Sequence, residues 1–285
     1  MGRDPVSDTA DDCHLVFSDL DGSLLDHHNY SFNDAIPQLR SLERLDIPLI
    51  PASSKTRVEI EHLREQLGNT HPFIVENGAA VFIPQGYFAS QPAGTIERDG
   101  YWVYELSRPR SHWLTVLREL MKEFDAEFDY FYRAGTAGIS RMTKLPADKA
   151  ALANQRDYSE PVQWLGSAQR RQAFIGALQA RGASVLQGGR FLGVSGDCDK
   201  GRTVAWLRAA YQQATGQRVC HDLAIGDSGN DCAMLEVTEW ALLVRSPVHD
   251  FPPLERSDGI IRSQDFGPAG WAEGVAQWLS EMNRH

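Results

Sequence analysis

The chain has 285 residues, 42% of them hydrophobic and 23% charged, which is typical of a globular protein with a substantial core. Its formal net charge is −10 and no long basic run occurs, so nucleic acid and anionic membrane surfaces are not expected partners. The four cysteines are too sparse for a disulfide scaffold, and no apolar stretch could span a bilayer or act as a signal peptide. We therefore expect a cytoplasmic protein with a disordered leader at residues 1–12.

The first part of the chain alternates strand and helix patterns. Three short apolar runs are typical of buried parallel strands, at residues 15–18, 47–52 and 73–75. A turn at residues 76–78 should lead into a hairpin arm at 79–83. With one helix between each pair of strands, this βαβαβ order predicts a parallel sheet with right-handed crossovers.

Two helices are predicted between these strands. Ser31 and Asp34 predict a capping box at the start of the first helix. Its apolar face follows at helical spacing: Ile36, Leu39, Leu42 and Leu45. The second helix should begin at Thr56 and end at Gly68, because glycine readily adopts the left-handed conformation that stops a helix.

The pattern changes at about residue 86. As far as residue 194 the chain is richer in aromatic residues and irregular turns. Helices are predicted at 110–124, 146–155 and 167–181. Strands are predicted at 102–106, 162–165, 184–187 and 190–194. This mixture without strict alternation predicts an inserted α+β module.

From Lys200 the α/β rhythm resumes. The predicted elements are a helix at 200–214, a strand at 222–225, a helix after residue 230, a strand at 240–244 and a terminal helix at 270–281. We therefore predict an α/β fold with a Rossmann-like core. Its domains should be a core of residues 13–85 and 195–285, and an inserted α+β cap of residues 86–194.

Acidic clusters follow two of the predicted strands. Asp19 and Asp21 follow the first strand, and Asp227 and Asp231 follow the strand at 222–225. In an open α/β sheet the site lies beyond the carboxyl ends of the strands. Acids this close repel one another where little water screens them, so a shared divalent metal is the simplest way to hold them together.

Other polar residues at the strand ends can bind an anion. Ser53, Ser54 and Lys55 lie next to a helix N-terminus, and Lys200 precedes another helix. Taken singly, each residue could be an ordinary turn former, N-cap or solvated residue. Acids, hydroxyls, lysines and a metal at one point are the groups that phosphoryl transfer needs, because a carboxylate can approach a phosphate ester only when its charge is screened.

Four segments resemble, in order and spacing, the motifs of the haloacid dehalogenase-like phosphatases that carry a large inserted cap. They are Asp19-Leu20-Asp21-Gly22-Ser23, Ser53, Lys200 and Gly226-Asp227-Ser228-Gly229-Asn230-Asp231. Three further runs are similar to the mannosyl-3-phosphoglycerate phosphatase family: Ser53 to Arg57, Glu76 to Phe88, and Arg156 to Pro161. Most relatives have Thr at the position of Ser23, and this change keeps the hydroxyl.

The resemblance implies a role for each core residue. Asp19 would be the nucleophile that forms an aspartyl-phosphate, and Asp21 would protonate the leaving alkoxide and then activate water. Ser53 and Lys200 would hold phosphoryl oxygens. The Mg²⁺ ligands would be Asp19, the main-chain carbonyl of Asp21, Asp227 and Asp231.

The resemblance also implies substrate contacts. In the core they would come from Ser54, Lys55 and Asn230, and in the cap from Arg156 and Glu160. For each of the two cap residues alone, a salt-bridged helix end is the alternative interpretation.

Several other residues keep two interpretations. Glu76 and Asn77 could form a hinge turn or contact the substrate. One or two of the cap cations should face the site and bind a carboxylate, the others being surface charges: Arg133, Arg141, Lys144, Arg156 and Arg190. An aromatic cluster is more typical of the cap core than of a sugar platform: Phe124, Phe128, Tyr130, Phe131 and Tyr132.

These implications describe a Mg²⁺-dependent phosphatase that converts mannosyl-3-phosphoglycerate into the compatible solute mannosylglycerate. Glucosyl-3-phosphoglycerate and a broader set of sugar phosphates are the alternative substrates. A phosphate-binding module without catalysis is a hypothesis of another class, and the Asp19/Asp21 pair argues against it. A phosphotransferase or mutase is a third. The expected partner is a small phosphorylated sugar or glycerate, and the protein should be a monomer or homodimer.

Overall fold

The structure is a computed structural model that describes residues 13–188, 190–216 and 220–282. The predicted leader at 1–12 lies outside these residues. The strands are β1 (Cys13–Ser18), β2 (Leu49–Pro51), β3 (Phe73–Val75), β4 (Ala80–Pro84), β5 (Ile96–Arg98), β6 (Tyr101–Glu105), β7 (Phe128–Tyr130), β8 (Glu160–Trp164), β9 (Ser184–Gln187), β10 (Leu192–Ser195), β11 (Cys220–Gly226), β12 (Trp240–Arg245) and β13 (Ile260–Phe266). The helices are α1 (Ile36–Arg44), α2 (Arg57–Leu67), α3 (Arg110–Leu120), α4 (Phe131–Thr143), α5 (Ala147–Ala153), α6 (Ala168–Gln179), α7 (Lys200–Thr215), α8 (Cys232–Val237) and α9 (Gly267–Met282). Within these ranges, no helix combines the length and apolar character needed to cross a membrane.

The central sheet is parallel, with the strand order β13-β12-β11-β1-β2. β1 lies in its interior, where Phe17 is opposite Ala224 on one side and Ile50 on the other. β3 extends the sheet through a parallel bridge between Ala52 and Ile74. The predicted βαβαβ unit is confirmed, and the carboxyl ends of β11, β1 and β2 are adjacent.

Helices cover both faces of the central sheet. Successive residues of a strand point to opposite faces, and both Val16 and Phe17 are fully buried. Val16 belongs to one core cluster with Trp271 of α9, whereas Phe17 belongs to another with Leu207 of α7 and Met234 of α8. Burial on both faces explains why the parallel strands are continuous apolar runs.

Two antiparallel sheets complete the fold. The first has the order β3-β4-β6-β5 and continues from β3. The second has the order β7-β8-β10-β9, and it packs with α3 and α6 around a core that includes Trp113, Phe128 and Phe174. The predicted α/β fold with a Rossmann-like core and an inserted α+β cap is therefore confirmed as a fold class.

The connections into and out of the second antiparallel sheet run side by side. Gly196 donates its N–H to Ser107 Oγ at 2.9 Å, and a Cβ on Gly196 would lie 3.0 Å from that oxygen. β6 pairs with β4 along Tyr101–Glu105, although a boundary at residue 86 assigns β6 to the cap. The division into 13–85 with 195–285 and 86–194 stays a prediction.

The start of α1 differs from the prediction. Ser31 and Asp34 do not form a capping box, because a short 3-10 helix, Asn33–Ala35, precedes α1 and Ser31 Oγ accepts from Asn33 N instead. Pro37 lies in the first turn and has no N–H that needs a cap. Leu45, predicted to be inward, follows the helix and is 56% exposed.

The start and end of α2 are as predicted. Thr56 is its N-cap and forms a capping box with Glu59, whose carboxylate accepts the N–H of Thr56 at 2.9 Å. Gly68 ends the helix with a φ of 64°. Because α2 follows β2 directly, this cap fixes the loop 53–55 at the carboxyl end of the sheet.

Candidate active site

A buried lysine joins the polar ends of two strands. Asp19 directly follows β1, and Asp231 ends the short 3-10 helix Gly229–Asp231 that follows β11. Lys200, the first residue of α7, places Nζ 2.6 Å from Asp19 Oδ1 and 2.6 Å from Asp231 Oδ1. All three side chains are buried. The structure thus brings these predicted site residues into direct contact.

The charges of this cluster do not balance. Burial, and then the carboxylate of Asp231, raise the pKa of Asp19 well above its usual value. Burial opposes the charge of Lys200, but Asp19 and Asp231 outweigh it and raise the pKa of the lysine. Burial and Asp231 also raise the pKa of Asp227 to about 6, against the opposing effect of His249, whose Nε2 lies 3.5 Å from Asp227 Oδ2.

Three of the predicted metal ligands come together. Carboxylate oxygens of Asp19, Asp227 and Asp231 lie within 4.8 Å of one another. Such a set of oxygen donors suits a hard divalent cation, and the excess negative charge is what a cation would relieve. Gly22 leaves room beside them, because a Cβ there would lie 2.6 Å from Asp227 Oδ2. The residues therefore fit the predicted Mg²⁺ site.

Asp21 lies beside this group and faces a cavity. Its Oδ2 is 2.9 Å from Lys55 Nζ, which also lies 5.1 Å from the centroid of the Tyr30 ring. Its Oδ1 is buried, and among the described residues no group hydrogen-bonds to it. A carboxylate at a cavity wall can exchange a proton with a ligand there. The main-chain contact of Asp21 with a metal stays a prediction.

The loop between β2 and α2 forms a second part of the site. Ser53 is 1% exposed, and its Oγ accepts the N–H of Lys55 at 3.2 Å. Ser54 is exposed and lines the cavity together with Lys55. Since Thr56 is the N-cap of α2, neither serine has that role, and Ser54 and Lys55 remain available to a ligand.

The turn at residues 76–78 fits closely between the other loops. Glu76, Asn77 and Gly78 have φ values of 49°, 61° and 88°. Asn77 Oδ1 accepts a hydrogen bond from Asn230 Nδ2 at 3.1 Å. A Cβ on Gly78 would lie 2.2 Å from the carbonyl oxygen of Asp199, so only glycine fits against the start of α7. The hydrogen bond to Asn77 therefore holds Asn230 against a turn that is itself fixed against the start of α7.

A cavity of about 1140 Å³ opens above these residues. Asp21, Lys55, Lys200 and Asn230 line it from the central sheet. Four cationic residues line it from the region predicted as the cap: Lys144, Lys149, Arg156 and Arg190. The volume exceeds what a phosphate group alone would fill, and the cap residues add positive charge to the lining.

Only some of the cap cations line the cavity, and their sequence does not show which ones. Arg133 pairs with Asp129 at 2.8 Å, and the described cavity lining does not include Arg133 or Arg141. Lys149 was not predicted to face the site. The sequence did contain a signal for this position of Lys149. Lys149, Leu152 and Ala153 have the spacing of one face of α5, and all three line the cavity.

Arg156 and Glu160, the two predicted cap contacts, are placed differently. The Arg156 side chain is 8% exposed, lines the cavity and donates from Nη2 to the carbonyl oxygen of Ser54 at 2.8 Å. Glu160 is fully buried, and Arg110 Nε donates to its Oε2 at 2.5 Å. The lining of the described cavity excludes Glu160. The structure thus brings Arg156 to the site but not Glu160.

Only part of the predicted aromatic cluster lies in the cap core. Phe124, Phe128 and Tyr130 belong to the core under the second antiparallel sheet, as predicted. Phe131 lines the cavity, and Tyr132 is 53% exposed.

Curated relatives resemble the chain along nearly its whole length. A glucosyl-3-phosphoglycerate/mannosyl-3-phosphoglycerate phosphatase from Methanococcoides burtonii is 33% identical over 270 residues, which cover 95% of this chain and 98% of the relative. A protein of the same name from Persephonella marina is 33% identical over 271 residues, with the same coverage. The chain belongs to this phosphatase family. The haloacid dehalogenase-like hydrolase family also matches residues 16–92, so the predicted resemblance is confirmed.

Solved structures with the same fold have more distant sequences. A phosphatase of the haloalkanoate (HAD) superfamily from Bacteroides thetaiotaomicron covers 99% of this chain and is itself covered to 98%, with a TM-score of 0.65 and 16% identity. The sucrose-phosphatase from Synechocystis, in complex with sucrose and phosphate, covers 94% of this chain and is itself covered to 98%. Its TM-score is 0.59 and its sequence identity is 16%. Family membership makes the protein a phosphoric monoester hydrolase, which decides against the hypotheses of a non-catalytic module and of a mutase.

Proposed function

We propose that this phosphatase hydrolyses mannosyl-3-phosphoglycerate to mannosylglycerate and phosphate, with glucosyl-3-phosphoglycerate as the alternative substrate. The observation that carries the proposal is a single cavity lined by Lys55 and Lys200 from the core and by four cations from the cap. Lys200 also holds Asp19 and Asp231, each at 2.6 Å. A glycosyl-phosphoglycerate carries a phosphate and a carboxylate, so it matches a cavity with cations from both parts of the fold. The names of the curated relatives support the same substrates.

In the proposed first step, Asp19 is the nucleophile. One of its oxygens attacks phosphorus, the bond from phosphorus to the glycerate oxygen breaks, and Asp21 gives a proton to that oxygen. Lys200 holds the other oxygen of Asp19 in place, with Nζ 2.6 Å from Oδ1, and offers positive charge to the phosphoryl group. Ser53, Ser54 and Asn230 would bind the remaining phosphoryl oxygens, and of these Ser54 and Asn230 line the cavity.

In the second step, Asp21 takes a proton from a water molecule. That water attacks phosphorus, the bond to Asp19 breaks, and inorganic phosphate leaves. Mg²⁺ bound by Asp19, Asp227 and Asp231 would screen the negative charge of the phosphoryl oxygens in both steps. The cytoplasm is the proposed location, and the four free thiols among the described residues are compatible with its reducing conditions.

The substrate is tested by phosphate release from a panel of esters. Mannosyl- and glucosyl-3-phosphoglycerate should give kcat/KM values well above those for simple sugar phosphates and small aryl phosphates. The mannosyl and glucosyl esters differ at one hydroxyl, so their ratio decides which is preferred. If simple sugar phosphates are hydrolysed as efficiently as both phosphoglycerates, the proposed substrate class is wrong.

Removal of metal should abolish activity. The stabilisation of the folded protein by metal should depend on pH. The pKa of Asp227 is raised to about 6 in the folded protein, so its contribution to stability is present below pH 3.8 and lost as the pH rises through 6. A cation that binds ionised Asp227 compensates for this loss. We therefore expect the increase in Tm caused by Mg²⁺ to be larger at pH 7 than at pH 5. Thermal denaturation with and without Mg²⁺ measures it.

Other ions provide the controls for this experiment. Mn²⁺ or Co²⁺ should restore activity after chelation, because they accept the same oxygen ligands. Ca²⁺ should bind but inhibit, since its larger and looser coordination sphere distorts the geometry around Asp19. Full activity after exhaustive chelation would contradict the Mg²⁺ proposal.

Replacement of Asp21 should affect substrates according to their leaving group. Asp21→Asn cannot donate the proton, so kcat for the glycosyl-phosphoglycerate should fall by roughly 10²–10⁴-fold. An aryl phosphate should lose much less in its first step, because a phenolate leaves without protonation. Burst and steady-state kinetics on both substrates separate the two steps. An equal loss in the first step on both would exclude Asp21 as the general acid.

A further inference from the structure

The carboxylate of Glu76 is bound by a segment that is distant in sequence. Glu76 is 1% exposed and lies in the turn after β3. Its Oε1 accepts the N–H of Asp157 at 2.7 Å, and its Oε2 accepts the N–H and the Oγ–H of Ser159 at 2.7 and 2.6 Å. The N–H of Tyr158 lies 3.3 Å from Oε2. One carboxylate therefore binds three successive main-chain amides of the connection between α5 and β8, which we call the 156–159 segment.

Arg156 links this contact to the phosphate-binding side of the cavity. Its Nε lies 3.3 Å from Glu76 Oε2 and 3.0 Å from Ser159 Oγ, while its Nη2 donates to the carbonyl oxygen of Ser54. The main chain of the turn returns to the same loop, because the N–H of Glu76 donates to the carbonyl oxygen of Lys55 at 3.0 Å. Glu76 thus joins the two loops: its carboxylate binds the 156–159 segment, and its main-chain N–H binds the loop 53–55.

We propose that Glu76 is a positioning residue that fixes the 156–159 segment against the loop 53–55 and so holds Arg156 at the part of the substrate beyond the phosphoryl group. The identity of that part as a glycosyl-glycerate rests on the proposed function. Glu76 lines the cavity, but both of its oxygens already accept short hydrogen bonds, so we assign it to the turn and not to a substrate contact. A buried carboxylate with several donors gives a defined geometry, since removal of its charge leaves those donors unpaired.

Hydrogen exchange tests the contact itself, without any substrate. In Glu76→Gln the peptide that covers 157–159 should exchange at least about tenfold faster than in the wild type, because charge-assisted hydrogen bonds are replaced by weaker ones. Glu105→Gln is the matched control. Glu105 accepts from the side chain of Tyr158 at 2.6 Å but has no contact with the amides of Asp157 or Ser159 among the described bonds. Unchanged protection in Glu76→Gln would overturn the proposal.

Kinetics test the role in positioning. Glu76→Gln should raise KM for the preferred glycosyl-phosphoglycerate about tenfold and leave kcat/KM for a small aryl phosphate within about threefold. Arg156→Ala should raise this KM by at least as much, because it removes the cation itself. Because Glu76 acts through Arg156, the double variant should lose no more than Arg156→Ala alone. Additive losses, or equal losses on both substrates, would show a merely structural role and overturn the proposal.

Two further measures separate the possible failures. If Glu76→Gln does not fold, Ser159→Ala removes one donor to the carboxylate and should give a smaller change of the same kind in exchange and KM. If the wild type does not hydrolyse glycosyl-phosphoglycerates, the proposed substrate is wrong. The exchange experiment still tests the contact, and the double-variant cycle is then run on the ester that the wild type prefers to an aryl phosphate.

Discussion

Asp19→Asn should reduce phosphatase activity by at least roughly 10³-fold while the protein stays folded, since a reacting group is lost. The amide has nearly the same shape as the carboxylate but is a very poor nucleophile. Burial and Asp231 raise the pKa of Asp19, so the wild-type carboxylate is held at an energetic cost. The neutral amide removes that cost, and Lys200 keeps Asp231 as its partner at 2.6 Å. The Tm of the metal-free variant should therefore stay close to that of the wild type.

Asp222→Asn is a matched control for this experiment. Asp222 is fully buried and belongs to β11, but it pairs with Arg208 at 2.8 Å rather than with Lys200. This variant should lose about 1–3 kcal/mol of stability and keep its kcat. Together the two variants separate loss of the nucleophile from loss of a buried carboxylate. Turnover by Asp19→Asn near the wild-type rate would exclude a covalent mechanism at Asp19.

The position of the site could be predicted from the sequence because it depends on local rules. A short apolar run followed by acids places those acids at the end of a buried strand, as the end of β1 and Asp19 illustrate. Parallel strands end on the same side of the sheet. Thr56 and Gly68 likewise determine α2 through a capping box and a left-handed stop. These signals lie within a few residues of the features that they predict.

Some elements that depend on distant contacts were not predicted. β13 is mostly exposed on one face, so its sequence lacks a continuous apolar run, and pairing with β12 forms it. α4 contains Gly135 with a φ of 61°, a break that interrupts any helical pattern. Its placement depends on packing of Phe131 and Ile139 with α5.

The cap contacts show the same limit. Arg156 and Glu160 lie four residues apart in one motif-like run, yet one lines the cavity and the other is buried with Arg110. β8 begins at Glu160 and buries this first side chain against Arg110. Which cation faces the cavity depends on that register and on partners such as Glu76, and neither can be read from the run itself.

Lys200→Met should abolish activity and also destabilise the metal-free protein by about 3–5 kcal/mol, the cost of breaking a buried ion pair. Methionine fills a similar volume but leaves Asp19 and Asp231 buried without their cation. Lys122→Met, at an exposed site, is the control and should change neither quantity. Urea denaturation and phosphate release measure the two effects. A stable and active Lys200→Met would contradict the central role of this lysine.

The pH dependence identifies the cause of the destabilisation. The pKa of Asp19 is already raised above 3.8 in the folded wild type, and loss of Lys200 raises it further. A raised pKa stabilises fully below the unfolded value, and the stabilisation is lost as the pH rises through the folded value. The stability that Lys200→Met loses should therefore grow as the pH is raised across a series from acidic to alkaline. A loss that is the same across the whole series would indicate a packing defect. Asp231→Asn added to Lys200→Met removes one of the two buried charges, so it should restore part of the stability at pH 7. It should restore no activity, because no cation then holds Asp19 or meets the phosphoryl group.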